Sequence, residues 1–202
     1  MSAEPDILLG VLDAVERDPT LTQRSVARDL GIALGLVNTY LKRCVRKGLV
    51  KVSQVPRRRY AYYLTPQGFA EKSRLTADYL AHSFAFFRRA RSQCEDLLVA
   101  ISERGQHRLA LVGDGDLSEI ARLIAREHSM EVAGIAAASG DPGVLATNLA
   151  ALGKVDAVII TALVGSRDVF NAAVSILGED RVYAPPLLRV HLSTPRTEEA
   201  VS

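Results

Sequence analysis

The sequence predicts two unlike parts joined by a long helix. They are an α+β winged helix-turn-helix domain over residues 1–64, a linking and dimerisation helix over 65–100, and a small α/β Rossmann-like parallel-sheet domain over 106–192 with a flexible tail at 193–202. Three observations predict this order. Between Leu21 and Leu64, two short helical patterns around a tight turn lead into two β-rich runs with a basic tip. From Thr65 to about Leu98, neither Pro nor Gly follows Gly68. From Gln106 onward, strand-like and helix-like segments alternate.

The first short helix spans Thr22 to Leu30, where Val26, Ala27 and Leu30 fall three and four apart and share one face. Gly31 ends it, and Gly31-Ile32-Ala33 turns into a second helix from Leu34 to Lys47. On that helix Val37, Leu41, Cys44 and Val45 form the inward stripe, while Asn38, Thr39, Lys42, Arg43 and Arg46 face outward. Gly48 closes it. Leu49–Ser53 and Tyr60–Leu64 then read as two strands flanking Gln54-Val55-Pro56-Arg57-Arg58-Arg59. Between Lys42 and Arg59 there are eight basic residues and no acidic one, a field whose natural partner is phosphate. This order of elements predicts a grip on double-stranded DNA, with the second helix in the major groove. Asn38, Thr39, Lys42 and Arg43 are candidates for base edges, and Arg57, Arg58 and Arg59 reach backbone or minor groove. Arg46 and Lys51 complete the candidate DNA-binding set.

At these residues the chain resembles the MarR-like winged-helix regulators, and more closely the subgroup associated with exopolysaccharide gene clusters. The resemblance runs from about Ile7 to Phe87. It rests on Thr22–Ile32, on Leu36–Lys42, on Lys47-Gly48-Leu49-Val50-Lys51 and on Tyr60–Gly68. It implies dimeric, site-specific DNA binding and transcriptional control of polysaccharide or sugar-nucleotide genes.

Thr65 as N-cap and Pro66 at the first helical position open the long helix. At about 1.5 Å per residue it reaches roughly 50 Å, more than a small winged domain covers. A stripe of 3-4 spacing runs through Phe69, Thr76, Leu80, Ser83, Phe87, Ala90, Cys94 and Leu97, widened by Tyr79, Phe84 and Phe86. The expected partner is the same helix of a second subunit, giving a homodimer with two recognition helices about one DNA turn apart. The alternative is that the stripe folds onto the chain's own second domain.

In that domain, strands are expected at Arg108–Val112, Glu131–Ala137, Val155–Ala162 and Arg181–Tyr183, and helices at Leu117–Glu127, Gly143–Leu152 and Ser166–Leu177. The run Val112-Gly113-Asp114-Gly115-Asp116-Leu117-Ser118 places two glycines between a strand and a helix, the setting of a phosphate-binding turn. The carboxyl ends of the strands nominate Gly113, Gly115, Ser118, Ser139, Gly165, Ser166 and Arg167 as a nucleotide-binding set, with Arg167 the best anion partner. A tight turn holding no ligand is the competing reading. Asp114 and Asp116 would repel a pyrophosphate unless they face away or meet a metal or sugar hydroxyls. The end of the second strand reads Ala136-Ala137-Ala138-Ser139, where a dinucleotide site would carry an acid for the ribose. Over Arg108–Val190 the chain resembles both the NAD(H)-sensing repressors of the Rex type and the nucleotide-sugar-binding domains of sugar acetyltransferases. The implied effector is therefore a nucleotide-sugar or NAD(H), unless the domain only dimerises. No Tyr-Lys, Ser-His or paired-carboxylate set lies at a strand end beyond the Asp114/Asp116 turn, so no catalysis is expected.

The net charge of +2 over 202 residues hides an asymmetry: residues 1–100 carry +6 and residues 101–202 carry −4. Hydrophobic residues make up 48%, enough for proper cores, and no run approaches the roughly 20 apolar residues a membrane span needs. The opening Met1–Asp6 is acidic and lacks a secretory pattern, which points to the cytoplasm. Cys44 and Cys94 have no pairing or metal spacing and are expected as buried thiols, and the four histidines stand singly, so no metal site is expected.

Overall fold

The computed structural model describes residues 3–55 and 59–190. Arg57, Arg58 and the expected flexible tail lie outside them, and Arg59 enters only through its backbone. The chain divides into two compact units, Met1–Phe84 and Ala85–Ser202.

The first unit begins with α1 (Ala3–Arg17), whose Val11, Leu12 and Val15 are fully buried. Their 3-4 spacing is that of an amphipathic helix with one face in the core. Helix α2 (Gln23–Leu30) starts at a capping box: Thr22 Oγ1 accepts from the Ser25 N–H at 3.1 Å, and Ser25 Oγ accepts from the Thr22 N–H at 3.2 Å. Gly31, at φ 63°, ends it in the left-handed region that favours glycine. Helix α3 (Leu34–Arg46) buries Val37, Tyr40, Leu41 and Cys44. The expected inward role of Val45 is corrected, since Val45 is 39% exposed and Tyr40 is only 8% exposed. At about 100° per residue, Tyr40 and Val45 stand on opposite flanks of the arc set by Val37, Leu41 and Cys44, about 40° beyond it on either side, so it is the packing of neighbouring elements and not helical phase that buries one and leaves the other exposed.

Strands β1 (Val50–Val55) and β2 (Arg59–Leu64) pair antiparallel from Val50↔Leu64 to Val55↔Arg59. The hairpin is therefore longer on its first arm than the expected Leu49–Ser53. It leads directly into α4 (Pro66–Glu103), whose start is fixed by Thr65: its hydroxyl donates to the Gly48 carbonyl at 2.6 Å and accepts from the Gly68 N–H at 3.0 Å. Leu75 of α4 joins the core of this unit.

The second unit is an α/β domain built on a parallel sheet. Its elements are β3 (Arg108–Val112), α5 (Asp116–Glu127), β4 (Glu131–Ala136), α6 (Pro142–Ala150), β5 (Ala157–Ile160), α7 (Ser166–Leu177) and β6 (Val182–Tyr183). The order across the sheet is β4-β3-β5-β6, and every pair is parallel. Along β3 and β5 successive side chains alternate between two cores. Leu109, Leu111, Ala157 and Ile159 pack with α5 and with Ala90, Cys94, Leu98 and Ile101 of α4. Ala110, Val112, Val158 and Ile160 pack with α6 and α7. Both faces are covered, as a parallel sheet requires. Strand β5 stops at Ile160 and not at the expected Ala162, because the N–H groups of Thr161 and Ala162 both turn onto one carbonyl, that of Val112, at 2.8 and 3.0 Å. Helix α6 starts at Pro142, one residue before the expected Gly143, behind Asp141, which accepts from the Val144 N–H at 2.8 Å.

The apolar stripe expected along α4 divides in two, and its later part meets the alternative expectation of packing on the chain's own second domain. Phe69, Leu80 and Phe87 are exposed, whereas Ala90 and Cys94 are fully buried in the core of the second unit. Heptad spacing keeps these residues near one face, and what covers that face changes at about Ala90.

Candidate nucleic-acid interface and strand-end turn

The buried arc of α3 leaves an opposite face of Gly35, Leu36, Thr39, Lys42 and Arg46, all exposed. Of the residues expected to read bases, Thr39 and Lys42 lie on this face. The Thr39 hydroxyl donates to the Gly35 carbonyl at 2.9 Å, which holds the hydroxyl against the helix. Asn38 and Arg43 lie on the two flanks and are half-buried. Asn38 Oδ1 accepts from Gln23 Nε2 of α2 at 3.5 Å. The Arg43 guanidinium donates to Glu4 of α1 and pairs with it, and this contact raises the affinity of Arg43 for its proton. The sequence patterns overlooked Glu4, Gln23 and the exposed Leu36, because none of them belongs to the basic field. The signal for Gln23 is its position at the first residue of α2. Lys51 is exposed on β1, paired in register with Tyr63. Arg57 and Arg58 lie outside the described residues, and the backbone of Arg59 opens β2.

Helix α1 and the start of α4 are fastened behind this surface. Lys72 Nζ lies 2.7 Å from Asp13 and also pairs with Glu16. Burial pushes the thiol of Cys44, on the buried face of α3, and separately that of Cys94 in the second unit, up to about 11, which favours the protonated form at neutral pH.

In the second unit the sheet order reverses about β3, with β4 on one side and β5 on the other. The loops leaving β3 and β5 therefore adjoin at the carboxyl edge, the topological switch point of an open parallel sheet. Gly113 is buried at φ 104°, and a Cβ there would sit 2.6 Å from the Ala162 backbone nitrogen, so this glycine lets the two loops cross closely. Ser118 is buried too, its hydroxyl donating to the Gly115 carbonyl at 2.8 Å. Gly115 is exposed at φ 118° with open space around it. It opens α5 with no side-chain cap, as Gly165, at φ 64°, opens α7. Ser139 Oγ accepts from the Asp141 N–H at 3.1 Å on the loop after β4. Ser166 and Arg167 occupy the first turn of α7, with Ser166 Oγ 3.5 Å from the Leu188 carbonyl. Gly113, Gly115 and Ser118 thus share the junction of β3 with α5, Gly165, Ser166 and Arg167 lie at the start of α7 after the neighbouring β5, and Ser139 lies on the loop after β4, on the other side of β3. Asp114 and Asp116 are both exposed, and Asp116 stands in the first turn of α5, where the helix dipole favours a carboxylate. Among the described residues no group of three or more His, Cys, Asp and Glu could hold a metal ion, and no helix is long and apolar enough to cross a membrane.

Residues 5–51 match the winged helix-turn-helix DNA-binding family. The first unit is a winged helix-turn-helix DNA-binding domain. Among solved structures, the PcaV transcriptional regulator from Streptomyces coelicolor is 26% identical, over 49% of this chain and 79% of its own, at a TM-score of 0.32. The same regulator in complex with its natural ligand is 23% identical, over 49% of this chain and 74% of its own, at a TM-score of 0.31. A structure of PigF with SAH spans 84% of this chain and 70% of its own, at 11% identity and a TM-score of 0.25. At these TM-scores the fold rests on the elements described above and not on the likeness. No curated protein matches the chain.

Proposed function

We propose that the chain is a dimeric transcriptional regulator whose second unit senses a nucleotide-sugar. The observation that carries the DNA-binding part is the match of residues 5–51 together with the exposed face of α3, where Thr39, Lys42 and Arg46 stand clear of the core. In this reading α3 enters the major groove with Asn38, Thr39, Lys42 and Arg43 at base edges. Arg46, Lys51 and the wing arginines Arg57, Arg58 and Arg59 hold phosphate or minor groove. The MarR-like resemblance between Ile7 and Phe87 supports the same assignment.

Selection of bound duplexes from a random library, followed by titration of the full chain at several salt concentrations, tests this reading. Arg57→Ala should weaken all sequences alike and lower the salt slope by about one. Asn38→Ala should mainly relax the preference at one position. Equal losses on selected and random DNA from Asn38→Ala would remove its base-reading role.

The sensing part is supported by the adjoining starts of α5 and α7 at the switch point, both capped by glycine. Phosphate suits the N–H groups there together with Ser166 and Arg167, and hydroxyls of a sugar suit Asp114 and Asp116. β4 ends at Ala136 followed by Ala137 and Ala138, which departs from the dinucleotide pattern of an acid at that point, and the preference for a nucleotide-sugar over NAD(H) rests on the resemblance of the first unit to regulators associated with exopolysaccharide gene clusters. A thermal-shift series with UDP-, GDP- and CDP-sugars, NAD and NADH separates the cases. A ligand at 100 times its dissociation constant adds about 2.7 kcal/mol. A shift with NADH alone would replace the sugar reading with a redox one, and no shift at all would leave the unit a dimerising scaffold.

A further inference from the structure

Gln23 belongs to α2 and is fifteen residues from Asn38, yet its side-chain amide lies against that of Asn38, Nε2 to Oδ1 at 3.5 Å. Both residues are half-buried at the junction where the start of α2 meets the flank of α3. The start of α2 is itself rigid, because the capping box of Thr22 and Ser25 fixes the first turn on which Gln23 stands. Asn38 has an amide oxygen on one side and an amide nitrogen on the other, and an unrestrained amide can present either to a base edge. A donor beside the oxygen favours one of the two orientations, and the Gln23 amide keeps its own as long as its oxygen is turned away from Asn38.

We infer that Gln23 is a positioning residue for DNA recognition: its amide fixes which way the Asn38 amide faces and so sets the base preference at the position Asn38 reads. The inference rests on the base-reading role proposed for Asn38. With Oδ1 turned toward Gln23, Asn38 directs Nδ2 outward as a donor, the group that suits an acceptor such as purine N7. The second lone pair of Oδ1 stays available for an exocyclic amine. Gln23 touches no base in this scheme and works through Asn38. Replacing it by alanine leaves a good helix former in the first turn of α2, so the capping box and the fold persist.

The test uses the full chain as wild type, Gln23→Ala, Asn38→Ala and the double variant. Each is first checked for an unchanged melting temperature, then given to a random duplex library and titrated on the selected site and its single-base variants. One amide–base pair discriminates by about 5- to 100-fold. Asn38→Ala should lose that discrimination at one position, and Gln23→Ala should lose a several-fold part of it at the same position. The double variant should discriminate no worse than Asn38→Ala alone, because Gln23 acts only through Asn38. A Gln23→Ala protein that weakens all sequences equally, that loses preference at a different position, or whose effect adds to that of Asn38→Ala would overturn the inference while leaving DNA binding intact. A wild type that selects no sequence would instead overturn the base-reading role and the inference with it.

Discussion

Arg43 is the one residue of the expected base-reading set that has an anionic partner among the described residues, the carboxylate of Glu4 at the start of α1. A guanidinium bound to a carboxylate must exchange it for phosphate or a base before it contributes to DNA binding, so Glu4 competes with DNA for Arg43. Both groups are solvent-accessible, so the competition is screened by salt. Glu4→Gln should raise affinity for operator and random DNA a few-fold at low salt, with the gain fading toward 1 M. Titration by anisotropy at two salt concentrations checks it, and an unchanged or lower affinity at low salt would show that Arg43 stays away from DNA. Legibility at this scale is uneven. Gly31, Thr65 and Pro66 could be read directly because capping and turn chemistry are local, whereas Thr22, expected as the first residue of its helix, is instead its N-cap. Glu4, Gln23 and Tyr40 could not, since each takes its role from residues on other elements.

Elements tell a second story, centred on α4 and its two ends. At its start, a Cβ on Gly68 would lie 2.0 Å from the carbonyl oxygen of Leu49, which also accepts from the Thr65 N–H at 3.1 Å. Wing and helix are thus pressed backbone to backbone, and Gly68→Ala should cost about 1–3 kcal/mol, the usual range for overpacking. A thermal melt with no loss would show that the start of α4 can shift freely. The sequence marks Gly68 only as a glycine in the first turn of a long helix, and its close approach to Leu49 is invisible there. Further along, Tyr79, Leu80 and Phe84 are each about half exposed, an unusual density of apolar surface for one helix. The periodicity shows the apolar face, and its covering from Ala90 onward by the sheet appears only in three dimensions. The exposed portion is what the proposed homodimer would cover. Phe84→Glu should therefore yield a monomer by sedimentation, with its melting temperature little changed and operator affinity lowered by loss of the second recognition helix. A dimer that survives this charge would move the interface off α4.

On the scale of the whole chain, charge and fold divide the labour. The net +6 of residues 1–100 suits DNA and the net −4 of residues 101–202 does not, so the control proposed for the second unit would run through conformation or association and not through contact with DNA. That division was legible from the charge count and from the alternation of strands and helices. The sheet order was not, because pairing of β3 with both β4 and β5 depends on contacts far apart in sequence. If the second unit senses a nucleotide-sugar, a linkage follows. A ligand that changes operator affinity by some factor must have its own affinity changed by the same factor when operator is present. The measurement is a pair of titrations: operator binding with and without a saturating sugar nucleotide that passed the thermal-shift series, then sugar-nucleotide binding with and without saturating operator. Sensing requires matching factors, in the range of about 5–150 that such couplings typically reach. A ligand that stabilises the protein yet leaves operator affinity unchanged has no differential affinity for the two conformations. In that case the α/β unit binds its nucleotide for a purpose other than control of the winged helix.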